Sequence, residues 1–201
     1  MTRLFLVVLG FCLLLSTASA QACTDIRSFD FRNAPVPVGK SDANQQSDYG
    51  ASGFSGPRLW AKRFHFRNGI AVTYEDPSEK PLRAEWRAEL NIDQLVHPEP
   101  SLWLRVIGIE DDHMAGTGTW QYVLAFGCEK GRLVRKFQFS DQGVGLKHWD
   151  DHTFVLGQAI WSPDDSHADP SGSRELTYTW DTRTHRYRLA SKTAIYHPGK
   201  D

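Results

Sequence analysis

Histidine and aspartate cluster in three places along this sequence: Glu110-Asp111-Asp112-His113, His148-Trp149-Asp150-Asp151-His152 and Asp164-Asp165-Ser166-His167-Ala168-Asp169. Imidazole nitrogen and carboxylate oxygen are suitable ligands for a divalent transition metal. The same groups can run acid–base chemistry, with a carboxylate orienting an imidazole base. The candidate metal ligands are His113, His148, His152, His167, Asp111 and Asp165. In a hydrolytic reading, His148, His152 or His167 is the base and Asp111 or Asp165 its partner. A plainer reading competes with both. Asp favours turns because its side chain bonds the backbone, and a His beside it is then a solvated neighbour. No nucleophile is marked. H-E-x-x-H, G-x-S-x-G, C-x-x-C and the phosphate-binding G-x-x-x-x-G-K-[ST] are absent, as is an Asn-x-Ser/Thr acceptor. Gly116-Thr117-Gly118 and Gly143-Val144-Gly145 lack the third glycine of a dinucleotide loop. No cofactor is expected unless the Asp/His groups converge on a divalent metal.

Tryptophan offers a different chemistry. The chain holds seven, and most fall within alternating apolar runs, where core packing is their ordinary use. Trp60 and Trp149 lie near loops and are the candidates for stacking on a sugar ring or a peptide aromatic.

The elements that must position these residues read as strands. Leu82, Ala84, Trp86, Ala88 and Leu90 alternate with Arg83, Glu85, Arg87 and Glu89; period two marks a half-buried strand. Trp120, Tyr122, Leu124 and Phe126 repeat that pattern. Leu102 to Ile109 is apolar on both sides apart from Arg105, as a central strand would be. Further strands are expected at Ile26–Phe31, Leu59–Arg67, Ile70–Tyr74, Leu133–Phe139, Val144–Trp149, Thr153–Trp161, Glu175–Trp180 and Arg186–Leu189. Asn68-Gly69 and Glu129-Lys130-Gly131 are hairpin turns between them. In the last hairpin Leu176, Tyr178, Trp180, Tyr187 and Leu189 can share a buried face. Phe29-Asp30-Phe31-Arg32-Asn33 and Phe64-His65-Phe66-Arg67-Asn68 look alike, but two copies make no repeat architecture. Residues 39–58 are rich in Gly, Ser, Asn, Gln and Asp and read as a long mobile loop. Roughly nine or ten short strands with turns between them predict an all-β fold, a single antiparallel β-sandwich or barrel-like domain over about residues 22–197.

The N-terminus speaks to compartment. One basic residue, Arg3, precedes an apolar run from Leu4 to Leu15, and Ala18-Ser19-Ala20 closes it. This is the order of a secretory signal, with cleavage after Ala20. The run is short of the roughly 20 residues that span a bilayer, and no later segment is longer, so no transmembrane segment is expected in the mature chain. Cys12 and Cys23 lack the Leu-led small-residue box of a lipidation site. Without residues 1–20, 22 basic side chains face 24 acidic ones, which gives no case for nucleic acid as a partner. Two cysteines, Cys23 and Cys128, enter an oxidising compartment, where pairing is favoured over two buried thiols. Such a bridge closes a loop that the chain-entropy model values at up to about 4.7 kcal/mol.

Asp165-Ser166-His167-Ala168-Asp169-Pro170-Ser171, with Glu175-Leu176-Thr177-Tyr178-Thr179-Trp180 and Tyr187-Arg188, is similar to the ending of a group of small exported bacterial proteins, some mycobacterial-type lipoproteins among them. That group places an acidic residue before Cys-Cys-Pro-Ser, then a Tyr-x-Trp strand and a closing hairpin. Ala168 and Asp169 stand where its adjacent cysteines would be, so the local disulfide is absent or turn hydrogen bonding takes its place. The resemblance implies export and a β-rich fold; it transfers no activity and no catalytic residue. The expectation is a secreted or periplasmic, non-catalytic module that binds a partner such as a glycan or belongs to the envelope. The alternative is a hydrolytic or metal-dependent enzyme.

Overall fold

The computed structural model describes residues 22–38, 63–73, 86–113, 119–162, 164–165 and 170–196. Residues 1–20, the segment 39–58, Trp60 and His167 lie outside them. Among the described residues there are eleven strands, two short 3-10 turns and no α-helix. The strands are β1 (Pro35–Pro37), β2 (Arg63–His65), β3 (Ile70–Thr73), β4 (Trp86–Glu99), β5 (Leu102–His113), β6 (Thr119–Glu129), β7 (Arg132–Gln142), β8 (Val144–Trp149), β9 (Thr153–Ile160), β10 (Gly172–Asp181) and β11 (Arg186–Tyr196). The fold is all-β and antiparallel, as the two-residue periodicity requires.

Three sheets form: β3-β4-β5-β6-β7, β11-β10-β9-β8 and the pair β1-β2. The five-stranded sheet is buried on both faces. One face carries Ile107, Ile109, Leu124 and Phe126 and packs on Phe29, Phe31, Val36 and Phe64 of the N-terminal segment and β2. The other carries Leu104, Val106, Phe137 and Phe139 and packs on Phe154, Leu156, Tyr178 and Tyr187 of the four-stranded sheet. Ring contacts run across this second core, with Phe137 4.8 Å from Tyr178 and Phe154 3.9 Å from Tyr187. This explains why β5 is apolar on both sides: it is a central strand with a layer on each face.

Asn68 (φ 54°) and Gly69 (φ 83°) make a two-residue turn closed by Arg67 and Ile70, and Lys130 (φ 50°) and Gly131 (φ 75°) make another. Positive φ at both central positions is the twist a tight hairpin needs. The two similar Phe-x-Phe-Arg-Asn segments lie against each other. Gly69 N donates to Arg32 O at 2.8 Å, and Asn68 N donates to Asn33 Oδ1 at 2.9 Å.

Two expectations need correction. Ile26–Phe31 is not a strand; 3-10 turns occupy Ile26–Ser28 and Phe31–Asn33. Asp25 and Asp30 each accept the N–H two residues on, from Arg27 and Arg32, at 3.0 Å, and that local bond draws the chain out of extension. The acidic run Glu110–His113 forms the end of β5, still paired with β4 as Asp111↔Ala88 and Asp112↔Arg87. Leu189 shares its register position with Tyr178 but stays 46% exposed, because β11 is the sheet's edge. Of the expected strand Leu82–Leu90, only Trp86 onward is described; there Ala88 and Leu90 are buried while Arg87 and Glu89 are exposed. Among the described residues no helix is long and apolar enough to cross a membrane.

Candidate functional site

Among the described residues, the sequence-derived candidates go to separate places. His148 is the penultimate residue of β8, its side chain 63% exposed and 3.7 Å from the Asp150 carboxylate. His152 is exposed in the same turn. The Asp150 carboxylate is a turn-builder: it accepts from the backbone N–H groups of His152 and Thr153, both at 2.7 Å. Those bonds, the His152 one foremost, hold its pKa below the usual carboxylate range. Asp165 ties a loop together: Oδ2 accepts from Ser162 N and Ser171 N, and Oδ1 from the Ser171 hydroxyl, each at 2.7 Å. Asp111 is buried on β5 near Tyr122, whose hydroxyl is pushed well above its usual pKa by burial first and by the Asp111 charge second. His113 occupies the last position of β5, across from Trp86. Among the described residues no three His, Cys, Asp or Glu side chains are grouped to hold one metal ion. Trp149 packs part-buried against the second core.

The expected bridge is present. Cys23 and Cys128 form a disulfide with Cα atoms 5.3 Å apart, and Cys23 N donates to Gly131 O at 3.1 Å. It fastens the N-terminal segment to the outer face of the five-stranded sheet. A cleft lies on each side of it.

The first cleft, of about 420 Å³, is lined by Thr24, Asp25, Arg27, Ser101, Leu102 and Trp103, with Pro100, Ile26 and Cys128 completing its wall. Trp103 and Arg105 share the face on which the N-terminal segment lies, as the residue alternation of β5 dictates. Arg105 is covered: it pairs with Asp93, and its Nη1 donates to Arg27 O at 2.9 Å. Trp103, beyond that margin, remains 36% exposed. The His97 ring stacks on it at 4.2 Å with planes 8° apart. His97 is itself held where its backbone N–H donates to Asp151 Oδ1 at 2.7 Å. The Arg27 guanidinium stands 5.9 Å from the indole centroid. Arg27 is fixed by a two-pronged bond to Asp25, Nε to Oδ1 at 3.0 Å and Nη2 to Oδ2 at 2.8 Å, which lowers the Asp25 pKa and raises that of Arg27. An indole held in place, a carboxylate, a guanidinium and a serine meet in one open cleft.

Sequence reasoning missed Trp103, taking it for core within a doubly apolar strand. The signal lay in its neighbours: it follows the Pro98–Ser101 turn region and shares a side with Arg105, where an apolar face runs out. No protein-family model, no curated protein and no solved structure matches this chain.

Proposed function

We propose that this chain is an exported, non-catalytic binding module and that the Trp103 cleft takes a glycan of the cell envelope. The observation that carries the reading is the partly exposed Trp103 indole, backed by the parallel His97 ring and set beside the Arg27–Asp25 pair. Sugars present an apolar C–H face that stacks on an aromatic ring and a rim of hydroxyls that both donate and accept. Arg27 supplies donors, Asp25 acceptors and Ser101 both. The Cys23–Cys128 bridge supports a secreted or periplasmic setting, since such bonds persist in oxidising compartments. The hydrolytic alternative has less on its side: His148 and His152 stand exposed at a turn, and the Asp165 oxygens are committed to loop N–H groups and Ser171.

The test is titration with soluble envelope glycan fragments, followed by tryptophan fluorescence and calorimetry, with reducing ends assayed in parallel. Trp103→Ala should weaken binding at least tenfold, about 1.4 kcal/mol, with an unchanged circular dichroism spectrum. Release of reducing ends, or binding that Trp103→Ala leaves intact, defeats the proposal.

A further inference from the structure

The second cleft, on the other side of the bridge, has a different character. It encloses about 510 Å³, within the size range of ligand pockets. Its floor and walls are apolar: Ala22, Phe29, Pro35, Pro37 and Leu133. Phe29 belongs to the core between the N-terminal segment and the sheet, and Leu133 packs against that core, so this wall cannot collapse without disturbing the interior. The two prolines give it a second hard side. Phe66 N donates to Ala34 O at 3.3 Å; by alternation Val36 also faces β2, while Pro35 and Pro37 sit where an N–H would point away from it. That edge offers no donors to an added strand. It presents two pyrrolidine rings instead.

Two guanidiniums stand at this trough, Arg63 of β2 and Arg132 of β7. Arg63 is opposite Pro37 in register. Neither makes a hydrogen bond or an ion pair among the described residues. Among the described residues, no lining residue is acidic. The nearest acid in register with Arg132 is Glu129, and its carboxylate is bonded to Lys136. Other arginines of this region are neutralised: Arg27 by Asp25 and Arg105 by Asp93. An apolar trough whose only charges among the described residues are two uncompensated guanidiniums is complementary to a molecule with an apolar chain and one anionic head.

We propose that this trough binds a fatty-acid anion, its carboxylate on Arg63 and Arg132 and its acyl chain along Phe29, Pro35, Pro37 and Leu133. Guanidinium is the side chain best matched to a carboxylate, through paired N–H donors. Apolar burial supplies the remaining affinity. The site shares no polar residue with the Trp103 cleft, so it stands or falls apart from the glycan reading.

The experiment is calorimetry on the full mature protein with decanoate, octanoate, butyrate and decanol, all below their aggregation concentrations. Decanoate should bind at least tenfold tighter than both butyrate and decanol. Octanoate should bind roughly fifteenfold more weakly than decanoate, because each buried methylene is worth about fourfold in affinity, or about 0.8 kcal/mol. Arg63→Gln/Arg132→Gln should lose at least tenfold for decanoate while the melting temperature holds, since both side chains are exposed. Trp103→Ala should bind decanoate as the native protein does. Decanoate no tighter than decanol by that factor, no gain with chain length, or full binding by the double variant overturns the assignment. The comparison between ligands uses the native protein, so it decides the matter even if the double variant does not fold.

Discussion

Carboxylates in this molecule organise backbone more than they meet substrate. Asp25 and Asp30 set the two 3-10 turns, Asp150 builds the β8–β9 turn, Asp165 ties the loop before β10, and Asp181 accepts from Arg183 N and the Thr184 hydroxyl. Glu99 links two sheets, with the Trp180 indole N–H 2.7 Å and His185 Nδ1 3.0 Å from its Oε1. The pKa of Glu99 lies below the usual value, first through Trp180 and then through His185; that of Asp181 is lowered by Thr184 foremost. Together with Asp25 and Asp150, these groups have folded pKa values below their unfolded ones. The stability they add is present above the ordinary carboxylate range, near pH 4. It is lost as pH falls through the folded values. The melting temperature should be flat from pH 7 to about 5 and fall steeply below about 4. Glu99→Gln, which no longer titrates, should give a shallower acid limb than the native protein in calorimetric scans from pH 7 to 2.5. An identical limb would show that the Glu99 contacts do not persist in solution.

Strands carry the candidate site through two irregularities in the β4–β5 pairing. The β4–β5 register shifts between Leu90 and Ile92, so Ala88 and Leu90 reach the N-terminal core before the shift, whereas Asp93 and His97 take that side after it. A second shift, between Val96 and Glu99, takes in His97, whose ring stacks on Trp103. Gly108 faces the first shift, and a Cβ there would lie 2.6 Å from Asn91 Oδ1 and 2.9 Å from Ile92 Cβ. Gly108→Ala should cost about 1–3 kcal/mol in urea unfolding, the usual cost of overpacking a core. Gly145→Ala, whose Cβ would meet nothing within 4 Å, should change stability by less than about 0.5 kcal/mol. Equal effects would refute the close-approach account. The same strands show what was legible. Trp120 to Phe126, Leu102 to Ile109 and the Asn68-Gly69 turn follow from period two and turn chemistry, which are local. The 3-10 turns escaped notice because Ile26 and Phe31 suit a strand and only the Asp-x-Arg spacing argues otherwise. Trp103 escaped because its neighbours hint only that an apolar face ends there, whereas its exposure depends on how far the N-terminal segment extends over the strand.

At the scale of the whole molecule, the fold is a five-stranded sheet with a layer on either face, and the two layers are held differently. The four-stranded sheet follows β7 through the short Gly143 turn and contributes a continuous core of its own. The N-terminal segment is remote in sequence from the strands that it covers, and the Cys23–Cys128 bond, spanning 105 positions, joins them. Both clefts depend on that join, since Asp25 and Arg27 wall one and Ala22, Phe29, Pro35 and Pro37 wall the other. Opening the bridge should therefore do more than lower global stability. Cys23→Ser/Cys128→Ser should cost about 2–4 kcal/mol in urea unfolding, up to about 4.7 by loop entropy alone. Hydrogen exchange should quicken most in residues 22–38, which the bridge ties to β6, and least in β9 and β10, whose core lies on the far side. Uniform quickening across both layers would mean that the N-terminal segment is held by its aromatic packing instead, with Phe29, Phe31 and Phe64 sufficing to seat it and the bridge acting only on the unfolded chain.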